Sequence, residues 1–199
     1  MKHIVVATHN PGKMKEFRYI LRHWNVELMS LEDLGLDEID ILEDGDTFLD
    51  NARIKVETLR QFTRDPILSD DSGLCISALD GRPGIHSSRF GGRAPYSVKR
   101  KLLVRELEDK EDRSAHFICA AALLIGEKLY TAEGIVRGEI SKEDIGDKGF
   151  GYDSIFYYPP LKKTFGQMEM EEKHSLSHRY EALKALEEIV RREDPDFLG

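Results

Sequence analysis

The chain has few cysteines, only two among 199 residues. Neither Cys75 nor Cys119 stands at metal-binding or redox spacing, which argues against a disulfide scaffold and a cysteine zinc site. We expect both thiols to be buried in the core of a cytoplasmic protein. Long apolar runs are missing too, as is the apolar stretch of a secretory signal, so we expect no membrane partner.

Basic residues are fewer than acidic ones: the sequence has 29 Lys and Arg residues and 37 Asp and Glu residues, which gives a net charge of -8. This balance argues against a broad nucleic-acid-binding surface, and we expect no nucleic-acid partner. An acidic protein with a local basic phosphate site suits a small phosphate ligand that arrives with a divalent metal ion.

Linkers, internal repeats and low-complexity segments are also missing from the sequence. We therefore expect a single domain over residues 1–199, large enough to bury a sizeable core. The apolar periodicity predicts an α/β domain with a partly antiparallel sheet. The predicted strands cover residues 4–7, 26–30, 67–69, 74–79, 117–125, 129–140 and 155–158. The predicted helices cover residues 11–23, 47–62, 96–107 and 177–192.

The most informative stretch joins the first strand to the first helix and reads Thr8-His9-Asn10-Pro11-Gly12-Lys13. Asn10 is a natural N-cap, and Pro11 suits the first helical position. Such a helix start offers outward-pointing N–H groups and a favourable dipole to an anion, while Gly12 permits close approach and Lys13 adds a positive charge. The stretch predicts a phosphate-binding turn, with an ordinary capped helix and a surface lysine as the alternative.

Acidic side chains supply the next candidate site. Asp70-Asp71-Ser72 follows a brief apolar run, which predicts that the two acids end a strand, a usual position for active-site groups. Adjacent strand residues point to opposite faces, so we expect the two carboxylates to do different jobs, one of them holding Mg²⁺ or activating water. Asn51 and Lys55 lie four positions apart on a predicted helix and project together from a polar face. Glu43 is a candidate second metal ligand, with a solvated acidic loop as the alternative.

An aromatic loop and a cationic patch follow towards the end of the sequence. Phe150-Gly151-Tyr152-Asp153 combines aromatic rings, a flexible glycine and a carboxylate, which is typical of a loop that stacks on a nucleobase. A buried aromatic plug is the alternative, and it is slightly favoured for Tyr152. Lys173, His178 and Arg179 form a cluster of hydrogen-bond donors, which attracts an oxo group on a base and repels an amine.

Together these segments resemble the inosine triphosphate pyrophosphatase family, which hydrolyses non-standard purine nucleoside triphosphates such as ITP, dITP and XTP. The likeness runs nearly end to end and keeps the family's order. The matching segments are Thr8-His9-Asn10-Pro11-Gly12-Lys13, Glu43, Thr47-Phe48, Asn51-Ala52, Lys55, Ser69-Asp70-Asp71-Ser72-Gly73-Leu74, Pro83-Gly84-Ile85, Ser88-Arg89, Gly149-Phe150-Gly151-Tyr152-Asp153, Glu172-Lys173 and Ser177-His178-Arg179.

The resemblance implies an elongated mixed sheet with helices forming two lobes around a central cleft, a homodimer and a Mg²⁺ cofactor. It implies that Glu43 and Asp71 hold the metal ion and that Asp71 is also the catalytic general base. Lys173, His178 and Arg179 would then read the base of a purine nucleoside triphosphate. The full set of implied substrate-binding residues is Thr8, His9, Asn10, Pro11, Gly12, Lys13, Lys55, Ser72, Phe150, Gly151, Tyr152, Asp153, Lys173, His178 and Arg179.

Two positions depart from the family pattern. Lys148 and Ser154 stand where related sequences often carry Gly and Pro, which changes loop stiffness or the rim of the pocket. Two other functions stay open at this point: a pyrophosphatase for modified pyrimidine or methylated nucleotides, and a nucleotide-binding module without catalysis. Turnover of a panel of nucleotides distinguishes among the three functions.

Overall fold

The computed structural model describes residues 2–198 and alternates strands with helices. Its strands are β1 (Lys2–Val6), β2 (Val26–Met29), β3 (Ile67–Ile76), β4 (Ser114–Ile125), β5 (Lys128–Ile140), β6 (Phe156–Tyr158) and β7 (Lys163–Thr164). Its helices are α1 (Pro11–Ile20), α2 (Phe48–Leu59), α3 (Tyr96–Glu106), α4 (Met170–Lys173), α5 (His178–Glu193) and α6 (Pro195–Leu198). Within residues 2–198, none of the helices has the length and apolar character needed to cross a membrane.

The seven strands form one sheet in the order β2-β1-β3-β4-β5-β6-β7. Strand β1 pairs in parallel with β2 and with β3, so that Val5 lies opposite Met29 on one side and Ile67 on the other. Strand β6 pairs in antiparallel fashion with β5 and with β7. The predicted α/β class and the mixed, partly antiparallel sheet are therefore confirmed.

The four longest helices begin within one residue of their predicted starts, because caps and apolar spacing mark them in the sequence. Asn10 caps α1 by accepting hydrogen bonds from the backbone N–H groups of Gly12 and Lys13. The side chain of Thr47 caps α2 in the same manner. Sequence analysis missed α4, α6 and β7, which are too short to show a period.

Strand β3 differs most from the prediction. One strand replaces the two predicted short ones, so Asp70 and Asp71 lie within it rather than at a strand end. The strand continues through these acids because cationic and amide side chains from the neighbouring helices pair with them. Further along β3, Cys75 is only partly buried, which corrects the expectation of two core thiols, whereas Cys119 is buried as expected.

The described chain divides into two compact units. Unit 1 comprises residues 2–71, 119–134 and 178–198, and its strands carry helices on both faces. Ile4 of β1 packs in one apolar cluster with Phe17 of α1 and Leu186 of α5. Its neighbour Val5 packs in another cluster with Val56 of α2. Alternate residues of β1 thus serve opposite layers, as expected of a strand that is buried on both faces.

Unit 2 comprises residues 72–118 and 135–177 and contains an aromatic cluster. The ring of Phe156 lies 4.6 Å from that of Phe117 and 4.9 Å from that of Phe165, measured between centroids. All three side chains are buried, and contacts between aromatic rings at this spacing stabilise a core beyond the area that they bury. The cluster anchors β6, the strand that follows the loop at residues 149–154.

Candidate active site

The alternation of β3 decides where the two acidic side chains point. Ile67 belongs to the apolar cluster beneath α2, and Leu68 belongs to the cluster beneath α1 and α5. A strand repeats every two residues, so Asp70 should follow Leu68 towards α1 and α5, while Asp71 should follow Ile67 towards α2. Ser69 supports this register, because its hydroxyl donates to the backbone oxygen of Ala52 in α2 at 2.6 Å. The two carboxylates thus point towards different helices, which is consistent with the prediction that they do different jobs.

Asp70 joins the start of α1 to the start of α5. Its Oδ2 lies 3.0 Å from Lys13 Nζ and accepts hydrogen bonds from Arg179 Nη2 at 2.8 Å and Nε at 3.2 Å. A second carboxylate, that of Glu16, pairs with Nη1 of Arg179. Arg179 and Asp70 are each only 1% exposed, so this is a buried ionic network.

The charges in this network are held firmly. Burial alone would raise the pKa of Asp70, but Arg179, Lys13 and Lys55 outweigh it and hold that pKa far below its usual value. Burial would likewise lower the pKa of Arg179, and the carboxylates of Asp70 and Glu16 instead raise it. Both groups therefore stay charged, and Asp70 is an ion-pairing group rather than a proton acceptor.

Removing the guanidinium should destabilise the protein strongly. We expect Arg179→Met to lower the free energy of unfolding by about 3–5 kcal/mol, because the carboxylates of Asp70 and Glu16 lose a buried partner. Urea unfolding at neutral pH measures this loss. The control Arg192→Met removes an exposed guanidinium and should change the free energy by less than about 0.5 kcal/mol. A loss below about 1 kcal/mol for Arg179→Met would contradict the ionic network.

Asp71 faces α2, where two side chains one turn apart meet it. Asn51 Nδ2 donates to Asp71 Oδ2 at 3.0 Å, and Lys55 Nζ lies 3.7 Å from Oδ1. The backbone N–H of Gly45 donates to Asn51 Oδ1 at 2.9 Å, which fixes the amide with its donor towards the acid. Asn51 and Lys55 project together as their spacing predicts, and both are buried.

Lys55 also connects Asp71 to Glu43. Its ammonium lies 2.8 Å from Glu43 Oε2 and donates to the backbone oxygen of Asp70 at 2.9 Å. Burial would lower the pKa of Lys55, but the charges of Asp71, Asp70 and Glu43 outweigh it and raise that pKa. Burial raises the pKa of Asp71, although Lys55 and Lys13 oppose the shift. The result is a carboxylate of increased basicity beside a fixed cation.

The carboxylates beside Lys55 have the chemistry that a divalent cation needs. Within residues 2–198, no three His, Cys, Asp or Glu side chains form a group that could hold a metal ion. Two carboxylates do face a common cation, because Glu43 and Asp71 both lie near Lys55 Nζ. Mg²⁺ takes one or two protein carboxylates and completes its shell with phosphate oxygens and waters, so this pair fits a metal ion that the substrate helps to hold.

The charge balance of the cluster around Asp70 and Asp71 also favours a divalent cation. The ion pairs of this cluster join three cations to four carboxylates, so these seven groups together carry a formal charge of -1, the sign that favours a divalent cation. The cations are Lys13, Lys55 and Arg179, and the carboxylates are Glu16, Glu43, Asp70 and Asp71.

The turn between β1 and α1 differs in one respect from the expectation. The backbone N–H groups of Gly12 and Lys13 donate to Asn10 Oδ1 at 2.8 and 3.2 Å, and the N–H of Asn10 donates to Thr8 Oγ1 at 3.2 Å. These donors do not point outward, because the Asn10 cap engages them. What the turn offers an anion is therefore the dipole of α1 and the ammonium of Lys13, which is 14% exposed.

A pocket of about 470 Å³ opens beside this turn. Four of the predicted substrate-binding residues line it, namely Thr8, His9, Asn10 and Pro11. The segment after β2 closes the opposite wall with residues 30–33 and Asp37. The turn thus adjoins a space large enough for a small ligand.

In unit 2, the structure brings together three residues that were predicted to bind the nucleoside. Lys173 Nζ pairs with Asp153 Oδ2 at 2.6 Å and lies 4.9 Å from the ring centroid of Phe150. The backbone N–H of Phe150 donates to the same carboxylate oxygen at 2.8 Å. Gly149 has φ +72°, and a Cβ there would lie 2.1 Å from Asp153 Oδ2, so only glycine permits this approach.

The remaining predicted residues take different positions. Tyr152 is buried and its hydroxyl donates to the backbone oxygen of Ser87 at 2.7 Å, which fits the packing alternative that the sequence left open. Its predicted contact with substrate stays a prediction. Ser72 is half-buried within β3. His178 is the first residue of α5 and is buried. Its backbone lies close to Gly134 of β5, because a Cβ atom added to that glycine would lie 2.3 Å from the backbone oxygen of His178.

Glu16, a second carboxylate partner of Arg179, was not among the residues predicted from the sequence. A signal was available, because Glu16 is a charged residue on the apolar face of α1, directly before Phe17. A carboxylate on such a face is either paired or costly to bury, so a distant cation was to be expected. The identity of that cation could not be found from local spacing, since Glu16 and Arg179 are 163 positions apart.

The chain is similar to known proteins in both sequence and structure. The profile of the Ham1 family matches residues 4–189. A Bacillus subtilis protein named dITP/XTP pyrophosphatase is 41% identical over 194 residues, covering 96% of this chain and 98% of that protein. One of the same name from Halalkalibacterium halodurans is 45% identical over 191 residues, covering 94% and 98%. The structure of a HAM1 protein from Coxiella burnetii matches with a TM-score of 0.87 at 37% identity, covering 96% and 100%. The resemblance carried by the motifs is thereby confirmed.

Proposed function

This chain belongs to the Ham1 family, and from that premise we propose that it hydrolyses non-standard purine nucleoside triphosphates. ITP, dITP and XTP are the substrates, and the products are the nucleoside monophosphate and pyrophosphate. The reaction removes deaminated purines from the nucleotide pool. The observation that carries the proposal is Asp71, a buried carboxylate of raised pKa that Asn51 orients and that Lys55 links to Glu43.

Asp71 is the general base in this proposal. The donor from Asn51 engages Oδ2, and Oδ1 lies towards Lys55. A carboxylate of raised pKa in this position suits a group that accepts a proton from water. As that proton moves to Asp71, the water oxygen attacks the α-phosphorus. The bond between the α-phosphorus and the oxygen that bridges to the β-phosphate then breaks, and pyrophosphate leaves. Such a transfer depends on positioning and charge neutralisation more than on covalent work by the protein.

The leaving pyrophosphate gains negative charge, and we assign Lys13 as the group that stabilises this charge. Its ammonium is held at the start of α1 by Asp70, beside the turn that the sequence marks for phosphate. A fixed cation stabilises developing charge without reorganisation at the moment of reaction. Thr8, His9, Asn10, Pro11 and Gly12 complete the triphosphate end of this proposal.

We further propose Mg²⁺ as the cofactor, held by Glu43 and Asp71 together with substrate oxygens. When bound, the ion neutralises and polarises the phosphates. The charge balance of the cluster supports this assignment, as does the preference of Mg²⁺ for oxygen ligands. Lys55 pairs with both of these carboxylates and so holds them on one side of β3.

Base selectivity is assigned to the donor groups Lys173, His178 and Arg179, together with Ser72 and the loop residues Phe150, Gly151, Tyr152 and Asp153. A purine with a 6-oxo group accepts hydrogen bonds where adenine presents an amine. With adenine, each hydrogen bond that this group of donors would make to a 6-oxo oxygen is lost at a cost of about 1–3 kcal/mol, so the loss of two predicts about a hundredfold preference for ITP over ATP. The proposal also includes a homodimer in the cytoplasm, which the family resemblance supports.

The experiment that tests the function is pyrophosphate release from ITP, dITP, XTP, GTP and ATP, with Mg²⁺ and with a chelator. We expect kcat/KM for ITP and XTP to exceed that for ATP by about a hundredfold and the chelator to abolish release. A preference for modified pyrimidine or methylated nucleotides would overturn the proposed substrate class. Binding of ITP without turnover would indicate a nucleotide-binding module instead.

A further inference from the structure

Two charged residues outside every predicted site hold the loop at residues 149–154. Arg100 of α3 donates from Nη1 to the backbone oxygen of Gly151 at 2.8 Å. The same guanidinium donates from Nε to Asp144 Oδ1 at 2.7 Å and from Nη2 to Oδ2 at 3.3 Å. Asp144 Oδ1 in turn accepts from the hydroxyl of Ser154 at 3.1 Å. The guanidinium therefore reaches the loop directly at one residue and through a carboxylate at another.

The geometry is that of a two-point clamp. A paired guanidinium and carboxylate with two parallel hydrogen bonds is both strong and directional, because the donor fork is planar and rigid. The Arg100 side chain is 19% exposed and that of Asp144 is 33% exposed, so solvent competes with the pair only in part. Gly151 has φ +64°, and its carbonyl is the acceptor that faces α3.

The clamped loop carries the groups assigned to the nucleoside. Phe150 immediately precedes Gly151, and Asp153 immediately precedes Ser154, so each clamp point is the direct chain neighbour of one of these side chains. Fixing the carbonyl of Gly151 and the hydroxyl of Ser154 therefore restricts how Phe150 and Asp153 are presented. A preorganised loop binds its ligand more tightly, since less conformational freedom is lost on binding.

We propose that Arg100 and Asp144 are positioning residues for nucleoside binding, acting through the loop at residues 149–154. The assignment rests on the proposed function, because it presumes that this loop contacts the nucleoside. Neither residue takes part in the cleavage itself. Their loss weakens substrate binding and base discrimination while the chemical step persists, which appears as a change in KM rather than in kcat.

The test compares the wild-type protein with Arg100→Met and with Arg105→Met, a matched change at an exposed residue of the same helix. We expect Arg100→Met to raise KM for ITP about tenfold and to reduce the ITP over ATP preference, with kcat within about twofold. Arg105→Met should leave all three values unchanged. Arg100→Lys should restore part of the loss, because it keeps the charge but not the fork.

Hydrogen exchange supplies a readout that does not depend on substrate. The backbone amides of residues 149–154 should exchange faster in Arg100→Met, while those of α3 keep their wild-type protection. Adding Asp144→Asn to Arg100→Met should raise KM by less than the product of the two separate effects, since both act through one clamp. A KM for Arg100→Met within twofold of an active wild type, or faster exchange in α3 alone, would overturn the clamp. A wild-type protein that does not hydrolyse ITP would instead overturn the proposed function.

Discussion

Asp71→Asn is expected to reduce kcat for ITP by about three to four orders of magnitude. The variant keeps the shape of the side chain, and its amide oxygen still accepts the hydrogen bond from Asn51 that now reaches Asp71 Oδ2. It cannot take a proton from water, and it replaces a negatively charged oxygen beside Lys55 with a neutral group. Catalysis therefore falls while the packing of β3 against α2 persists.

Steady-state pyrophosphate release and urea unfolding, measured on the same preparations, check this expectation. Asp65→Asn is the matched control, because it makes the same change at an exposed position just before β3. The control should keep wild-type turnover, and the unfolding free energy of Asp71→Asn should lie within about 1 kcal/mol of the wild type. Turnover of Asp71→Asn within tenfold of the wild type would show that another group activates the water.

Lys13→Met is expected to lower kcat/KM for ITP by about two to three orders of magnitude. The ammonium is the partly exposed cation at the start of α1, and its loss leaves the pyrophosphate charge without that partner. The fold should survive, because Asp70 keeps both of its hydrogen bonds from Arg179. A large kinetic effect with a small effect on stability distinguishes a group that acts on substrate from one that acts on packing.

Lys184→Met provides the comparison for Lys13→Met, since it removes an exposed lysine from α5 in the same unit. Initial rates at low ITP concentration give kcat/KM for both variants directly. Lys184→Met should match the wild type. Equal values for the two variants would remove Lys13 from the phosphate site and leave it as a structural partner of Asp70.

Local sequence patterns predicted the parts of the site that lie within one element. Asn51 and Lys55 meet Asp71 because residues four apart share a helix face, and that spacing is visible in the sequence. The different partners of Asp70 and Asp71 follow from strand alternation. The start of α1 follows from the cap at Asn10 and the proline after it.

The parts that could not be predicted depend on residues far apart in the chain. Asp70 meets Arg179 across 109 positions, and Arg100 meets Asp144 across 44. The continuity of β3 was misjudged for the same reason, because charged residues interrupt a buried strand unless distant partners satisfy them. Periodicity reports the face on which a side chain lies, but only the folded chain shows which charge stands opposite.

The identity of Asp70 as an ion-pairing residue rather than a base also required the structure. Two adjacent aspartates look equivalent in the sequence, and the family resemblance alone selects between them. In the fold, Asp70 is surrounded by cations that depress its pKa, whereas burial raises the pKa of Asp71. The physical environment thus gives an independent reason to assign the base to Asp71.

Hydrolysis of ITP in ¹⁸O-enriched water shows whether water attacks the α-phosphorus of the purine nucleoside triphosphate. Mass spectrometry of the products locates the oxygen that came from water. We predict that the label appears in the nucleoside monophosphate and that the pyrophosphate carries none. Label in the pyrophosphate, or release of labelled orthophosphate, would contradict the account.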